Sequence, residues 1–401
     1  VSSPTLTTSS LAPYDAVLLL SFGGPEKPED VLPFMRNVTR GKGIPEERLV
    51  EVSQHYALFG GRSPINDQNR ELLAALRAEL DARGIDTPLA WGNRNGEPYT
   101  DGALADLRGS GASRVLALVT SAYGSYSGCR QYREHVAAAL AGVAGHGDDT
   151  PADAEAAAGV RVDKLRHYFN HPGFVRANAD AVVEAFTDLA ARLGRPRADV
   201  AAEAPLLFVT HSIPLAMEAG SAAARPGYVA QHQDACREVA QLVAADLGVT
   251  PDWSLAFCSR SGPPSQPWLE PDVNDVLTER AAGGTTAVVM SPIGFVSDHM
   301  EVAYDLDTEA MATAEGLGVT AVRAGSASTR APFVAGLVDL MLERAAAERG
   351  EDPERATVGV LGAWPDRCAV GCCFQRAGVD TGLPTINQQR ADDTTEGAAA
   401  R

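Results

Sequence analysis

Ala287-Val288-Val289-Met290-Ser291-Pro292-Ile293-Gly294-Phe295-Val296-Ser297-Asp298-His299-Met300-Glu301-Val302-Ala303-Tyr304-Asp305-Leu306-Asp307-Thr308-Glu309 joins an apolar run directly to a stretch where Asp298, Glu301, Asp305 and Glu309 recur in steps of three and four. The first part reads as a buried strand over about 285–291, and the second as a helix over about 298–317 with those carboxylates on one face. Stacked like charges repel, so the stripe costs stability unless a cation relieves it. Hard oxygen donors in a row suit a divalent ion in transit; a solvated acidic face is the competing reading.

Working outward, Leu206-Leu207-Phe208-Val209-Thr210-His211-Ser212-Ile213-Pro214 is a β-rich run that ends on a histidine. Ligands of open α/β sheets bind at the carboxyl ends of strands, where His211 falls, although a lone histidine there is more often structural than catalytic. Further strand-like runs at about 16–22, 114–121 and 253–258 alternate with helical stretches at 65–83, 173–193 and 228–247. That alternation predicts an α/β protein of two Rossmann-like domains, each a small parallel sheet flanked by helices, with the site in the cleft between them. The turn-forming Tyr168-Phe169-Asn170-His171-Pro172-Gly173 places a boundary. The expected division is a flexible start over 1–12, domains over 13–171 and 172–327, and a helix over 328–350 returning to the first domain. A cysteine-bearing segment over 351–376 and a mobile tail over 377–401 complete it. Ala144 to Gly159, rich in Ala, Gly and Asp, reads as a disordered surface insertion. No internal repeat is visible in the sequence.

With 401 residues, 45% of them hydrophobic, the chain can bury the cores of two domains. A formal charge of −18 argues against nucleic acid or an anionic membrane surface as a partner. No apolar run approaches the roughly 20 residues that span a bilayer, and Val1 to Pro13 lacks a signal-peptide core, so a cytoplasmic location is expected. In a reducing compartment the six cysteines are expected as free thiols or metal ligands. Gly23-Gly24-Pro25 breaks the glycine fingerprint that a dinucleotide oxidoreductase needs.

Taken together, the His-Ser-Ile-Pro strand end and Pro-Ile-Gly-Phe-Val-Ser-Asp-His-Met-Glu resemble the active-site signature of the ferrochelatases. Other blocks follow in family order. Leu18-Leu19-Leu20-Ser21-Phe22-Gly23-Gly24-Pro25 resembles the first strand and porphyrin-facing loop. Arg40-Gly41 and His55-Tyr56-Ala57-Leu58-Phe59-Gly60-Gly61-Arg62-Ser63-Pro64-Ile65-Asn66 resemble the propionate-contacting region, and Phe257-Cys258-Ser259-Arg260-Ser261-Gly262-Pro263 with Trp268-Leu269-Glu270-Pro271 is similar to a further block. The resemblance implies insertion of Fe2+ into a porphyrin with release of two protons, in haem biosynthesis. It makes His211 and Glu301 the central pair, as proton acceptor and metal-passing group, and Asp305 and Glu309 the Fe2+ feed path, with a widened helical turn expected there. Arg40, Tyr56, Ser63 and Tyr132 match positions near the propionates.

Phe22 stands where many relatives carry a metal-ligating tyrosine, so no axial oxygen comes from that position. Asn93-Arg94-Asn95 and Ser261-Gly262-Pro263-Pro264 are similar to actinobacterial members, the coproporphyrin-dependent branch, which implies coproporphyrin III as substrate. Protoporphyrin IX is the alternative ring, cobalt or nickel an alternative ion, and a non-enzymatic porphyrin carrier the alternative of another class. A monomer is expected, with transient contact to neighbouring haem-pathway enzymes.

Cys368-Ala369-Val370-Gly371-Cys372-Cys373 places three thiols within six residues, a density that points to metal with a fourth ligand missing locally. By resemblance to cluster-bearing members that ligand is Cys129, and the centre a 2Fe-2S cluster. A four-thiolate zinc site and an unligated redox-sensitive trio remain open. Cys236 and Cys258 read as buried apolar fillers.

Overall fold

The protein was analysed as a computed structural model, which describes residues 10–41, 43–146, 153–223, 225–262, 265–369 and 371–389. Among the described residues eight strands form two parallel sheets: β1 (Ala16–Ser21), β2 (Leu89–Asn93), β3 (Arg114–Val119) and β4 (Arg161–Lys164), then β5 (Leu206–His211), β6 (Trp253–Cys258), β7 (Ala287–Ser291) and β8 (Thr320–Arg323). The orders are β2-β1-β3-β4 and β6-β5-β7-β8, so the second sheet repeats the first. An architectural repeat therefore exists where the sequence shows none, because sheet order depends on which faces are apolar and not on which apolar residues fill them.

Central β1, β3, β5 and β7 are buried almost throughout, which is why their apolar runs are legible. The strands not anticipated, β2, β4 and β8, are short edges; Arg161-Val162-Asp163-Lys164 carries three charged residues and no apolar run. In each sheet the order reverses beside the first strand, at β1/β3 and again at β5/β7. Such switch points open a crevice beyond the strand ends.

The halves share a core. Leu19, Tyr123, Phe169 and Phe174 pack in one cluster with Ile213, Tyr228 and Val296, and the Tyr123 hydroxyl donates to the Ile293 carbonyl at 3.2 Å. Helix Ala331–Glu348 joins that core through Phe333, Leu337 and Met341. Ion pairs Arg83–Asp339 (2.5 Å), Arg166–Glu343 (2.6 Å) and Arg344–Asp163 (3.3 Å) hold it to the first half.

Three expectations are corrected. Within the stretch read as a disordered insertion, Ala154–Ala158 is a short helix capped by Asp153, with Ala154 and Ala158 buried against the first sheet; residues 147–152 lie outside the described residues. The tail is not free from 377 onward: Ile386 is buried in the first sheet's core and the Arg133 Nε donates to its carbonyl at 2.9 Å, an apolar anchor inside a polar segment. Residues 390–401 and the flexible start over 1–9 lie outside the described residues. Asp298 precedes the helix instead of joining its acidic face, because Arg323 holds it at 3.1 Å.

Gly173, in helix Pro172–Leu193, has no room for a side chain: a Cβ there would stand 2.3 Å from the Pro332 carbonyl. Gly173→Ala is expected to cost about 2 kcal/mol, the overpacking penalty less the gain in helix propensity. The shift in the urea midpoint at unchanged slope measures it.

Candidate active site

β5 lies between β6 and β7, and its last residue, His211, emerges at the second sheet's switch point. Behind it the Thr210 hydroxyl bonds the Tyr228 hydroxyl at 2.8 Å and His232 Nε2 at 2.9 Å, and the Tyr228 hydroxyl lies 3.2 Å from the His211 carbonyl. The loop after β7 crosses this strand at Gly294, whose N–H donates to the Val209 carbonyl at 3.2 Å. A Cβ at Gly294 would fall 2.0 Å from Thr210 Oγ1, so the crossing requires glycine.

The His211 Nδ1 bonds the Ser212 carbonyl, which can only accept, so Nδ1 carries the proton. Nε2 then faces the Glu301 carboxylate, with Nε2 and Oε1 3.5 Å apart. Glu301 leads into a π-helix, Val302–Ala310, so the widened turn expected of this stretch runs for nine residues. The backbone N–H of Glu301 donates to His299 Nδ1 at 3.1 Å, and the same ring nitrogen lies 3.8 Å from Glu301 Oε2. Asp305 follows, taking a bond from the Ser259 hydroxyl, with Ser259 in the left-handed region at φ 62°. Glu309 is exposed at the outer end. Asp307 turns away to Arg323 (2.5 Å), which also holds Asp298. Arg323 thus neutralises two carboxylates and leaves Glu301, Asp305 and Glu309 running from solvent toward His211.

Burial disfavours the imidazolium at His211, but Glu301, the Ser212 carbonyl and Asp305 outweigh it and carry the group up to about 9. Burial also raises Asp305, to about 7, with the neighbouring Glu301 and Glu309 carboxylates pushing the same way against the Ser259 hydrogen bond. His299 is lowered by burial and by His211. The site therefore holds an imidazolium facing a carboxylate, and His211 must lose that proton before it can serve as the expected proton acceptor.

The opposite wall comes from the first half. His55 stacks on Tyr304 of the π-helix with ring centres 4.0 Å apart and planes 7° from parallel, and the Gln68 Oε1 accepts from the Asp298 N–H at 2.8 Å. Phe22, Phe34 and Tyr56 form an edge-to-face row at 6.1 and 6.2 Å, with Phe22 37% exposed. Burial and Glu301 together raise the Tyr56 phenol above its ordinary value. Arg40 is exposed beside a cavity of about 740 Å³. Ser63 is buried against Gly24, where a Cβ would meet it at 2.7 Å, and Tyr132 is buried beneath Arg94.

The ferrochelatase family profile matches residues 14–345. The chain belongs to the ferrochelatase family. Similar proteins include the coproporphyrin III ferrochelatase of Streptomyces coelicolor, 52% identical over 91% of this chain and 95% of that protein. The coproporphyrin III ferrochelatase of Streptomyces griseus is 53% identical over the same shares. Among solved structures, SirB from Bacillus subtilis with Fe3+ aligns with a TM-score of 0.46 at 13% identity, over 84% of this chain and 97% of that one.

Within this ferrochelatase fold, Cys129, Cys368, Cys372 and Cys373 gather in one buried cluster. Their sulfurs form a closed set of contacts: Cys129–Cys368 at 4.0 Å and Cys372–Cys373 at 3.4 Å, with Cys129 also meeting Cys373 and Cys368 meeting Cys372. Among the described residues, no three or more His, Cys, Asp or Glu side chains are already grouped to hold a metal ion. A second π-helix, Tyr126–Arg130, presents Cys129. Hydrogen bonds from Cys129 and Cys372 pull the Cys368 thiol well below its ordinary value, helped by Arg133 and Lys164. The Arg133 Nη1 is buried without a hydrogen-bond partner among the described residues.

Ser259, His299 and the His55–Tyr304 stack were not singled out from the sequence. His299 and Ser259 sit inside the quoted motifs, but nothing in their spacing sets them apart from neighbouring polar residues.

Because His211 titrates above its ordinary 6.5, its pairing with Glu301 supports the fold fully below about 6.5 and loses that contribution as pH rises through about 9. NMR titration of the His211 ring in Glu301→Gln is expected to show its midpoint moving from about 9 back toward 6.5.

Proposed function

We propose that this protein inserts Fe2+ into coproporphyrin III, giving Fe-coproporphyrin III and two protons, in haem biosynthesis. The observation that supports the mechanism is the 3.5 Å approach of His211 Nε2 to the Glu301 carboxylate at the strand-end crevice. The ring follows from the Streptomyces relatives that bear that substrate in their names. Among the described residues no helix is long and apolar enough to cross a membrane.

Fe2+ enters past exposed Glu309 to Asp305 and Glu301, shedding water onto hard oxygen donors. Once the ion takes over Glu301, the carboxylate no longer supports the imidazolium, so His211 gives up its proton. Asp305, released as the ion moves on to Glu301, takes that proton and passes it outward. Neutral Nε2 then accepts one pyrrole proton, and Glu301, releasing the ion to the ring, accepts the second. Nδ1 stays tied to the Ser212 carbonyl throughout, which keeps the lone pair of Nε2 aimed into the cleft. The Phe22, Phe34 and Tyr56 row gives the flat macrocycle an aromatic wall.

The four thiols fit a 2Fe-2S cluster held by Cys129, Cys368, Cys372 and Cys373. Four buried thiols in mutual contact are the donor number such a centre takes, and an anionic centre would answer the unpartnered Arg133 Nη1 and buried Lys164. Such a group supplies one-electron chemistry and a covalent pin. The residues it would join are the first-half π-helix and the C-terminal segment, which also touches the second half where the Phe374 carbonyl leaves no room for a side chain at Gly220.

Glu301→Ala is expected to lower anaerobic Fe2+ insertion by about 10³-fold while leaving quenching of coproporphyrin fluorescence by the protein nearly intact. Normal turnover by that variant overturns its role, and ring binding without insertion by the unaltered protein favours a carrier. Anaerobically purified protein is expected to show charge-transfer absorption that Cys372→Ser removes; a colourless preparation with stoichiometric zinc would replace the cluster with a zinc site.

A further inference from the structure

Two buried cations in the neighbourhood of the four thiols have no carboxylate to balance them. Lys164 ends β4 and is 4% exposed; its Nζ donates to the Leu165 carbonyl at 2.7 Å and makes no ion pair among the described residues. Side chains alternate along a strand, so Asp163 turns to the opposite face, where Arg114, Arg161 and Arg344 surround it. Arg133 lies one helical turn beyond Cys129, in helix Gln131–Val143, and is 1% exposed. Its Nε donates to the Ile386 carbonyl at 2.9 Å and its Nη2 to the Thr385 hydroxyl at 3.1 Å, both neutral acceptors, and Nη1 has no hydrogen-bond partner among the described residues.

Both charges reach the sulfurs. After the contacts among the thiols themselves and the effect of burial, Lys164 acts on Cys129 and Cys368, and Arg133 on Cys368 and Cys372, in each case favouring the thiolate. Two further groups add nothing to this balance: Arg130 is paired with Glu134 at 2.9 Å and Asp380 at 3.1 Å, and His167, which feels Lys164 and Cys368, is held neutral by burial first and then by Lys164. A charge taken out of water persists where an opposite charge meets it, and four neutral thiols supply none. A four-thiolate 2Fe-2S centre carries two negative charges when oxidised, which two cations balance, and three after gaining one electron. A four-thiolate zinc centre carries the same two charges but takes no electron.

We infer that Lys164 and Arg133 are the counter-charges of this thiolate centre and raise its reduction potential, because each stabilises the form with the additional electron more than the form without it. Reduction by an external one-electron donor, dithionite in the test below, adds a single negative charge to the centre and moves no proton, so the buried cations feel the whole change at low dielectric. Lys164 is the cleaner probe, since Arg133 also anchors the segment around Ile386. This inference rests on the iron-sulfur reading above and goes beyond it by assigning the residues that set the charge and potential of the centre.

The test compares Lys164→Met, which removes the charge and keeps the length of the side chain, and Lys164→Arg, which keeps the charge, with the unaltered protein, all purified anaerobically. Iron, zinc and acid-labile sulfide are counted per chain, and the reduced-to-oxidised ratio is read from charge-transfer absorption during a dithionite titration. At a fixed ambient potential Lys164→Met is expected to lower that ratio by about tenfold or more, which for one electron is about 59 mV, and Lys164→Arg to stay within about threefold of the unaltered protein. Arg133→Met is expected to shift the ratio in the same direction. A ratio within about twofold in Lys164→Met, with its iron and sulfide retained, would overturn the inference. If Lys164→Met loses the cluster, Lys164→Arg decides: retention there supports the counter-charge role, and loss from both makes Lys164 a packing residue and overturns it. Should the unaltered protein hold zinc and no sulfide, the iron-sulfur reading fails and the potential with it; zinc lost from Lys164→Met but kept by Lys164→Arg then still supports the counter-charge role, and equal zinc in all three overturns it.

Discussion

The contact between Gly294 and Thr210 is the constraint on which the site depends. Two strands of one parallel sheet must release their chains toward a common crevice, and the loop leaving β7 has to cross β5 at less than the width of a methyl group. Glycine allows it, the Gly294 N–H bonds the Val209 carbonyl, and the Glu301 carboxylate arrives opposite the His211 ring. Any larger residue would push the π-helix outward and separate a pair whose electrostatics depend on closeness. The crossing also places Ile293, whose carbonyl takes the Tyr123 hydroxyl from the first half, so the same loop fixes the seam between the sheets.

Charge is apportioned along the acidic stripe with a clear division. Arg323 takes Asp298 and Asp307, removing the repulsion that four- and three-residue spacing would otherwise build up. Glu301, Asp305 and Glu309 keep their field. Against that field burial works on His211 and loses, whereas on Asp305 burial and the neighbouring carboxylates act together. The site is thus an imidazolium facing a carboxylate, and in the proposed reaction the arriving cation displaces that pairing, so that metal arrival and proton departure become one coupled event.

Legibility tracked burial and chain continuity. β1, β3, β5 and β7 were readable because strands covered on both faces must be apolar throughout, and His211 was readable because it ends one of them. Glu301, Asp305 and Glu309 were readable as a periodic stripe; Asp298 was wrongly counted with them, since no spacing rule foresees an arginine supplied by β8. The grouping of Cys129 with three C-terminal thiols came through family resemblance, and their burial together only through coordinates. Edge strands β2, β4 and β8 escaped because one-sided, short strands carry little apolar signal. Ile386, alone in a polar tail, gave no periodicity to read, yet one buried side chain suffices to dock that segment.

By itself the sequence determined the α/β class, the strand ends that carry chemistry, the acidic approach to them and the cysteine-rich end. These are local properties, written in which residues neighbour one another along the chain. Tertiary structure alone decided that the second sheet repeats the order of the first, that His211 is held as an imidazolium, and that Ser63 is buried against Gly24 and Tyr132 beneath Arg94. Those outcomes depend on distances between residues far apart in sequence, and desolvation and Coulomb energy are functions of distance and burial that no reading of adjacent residues contains.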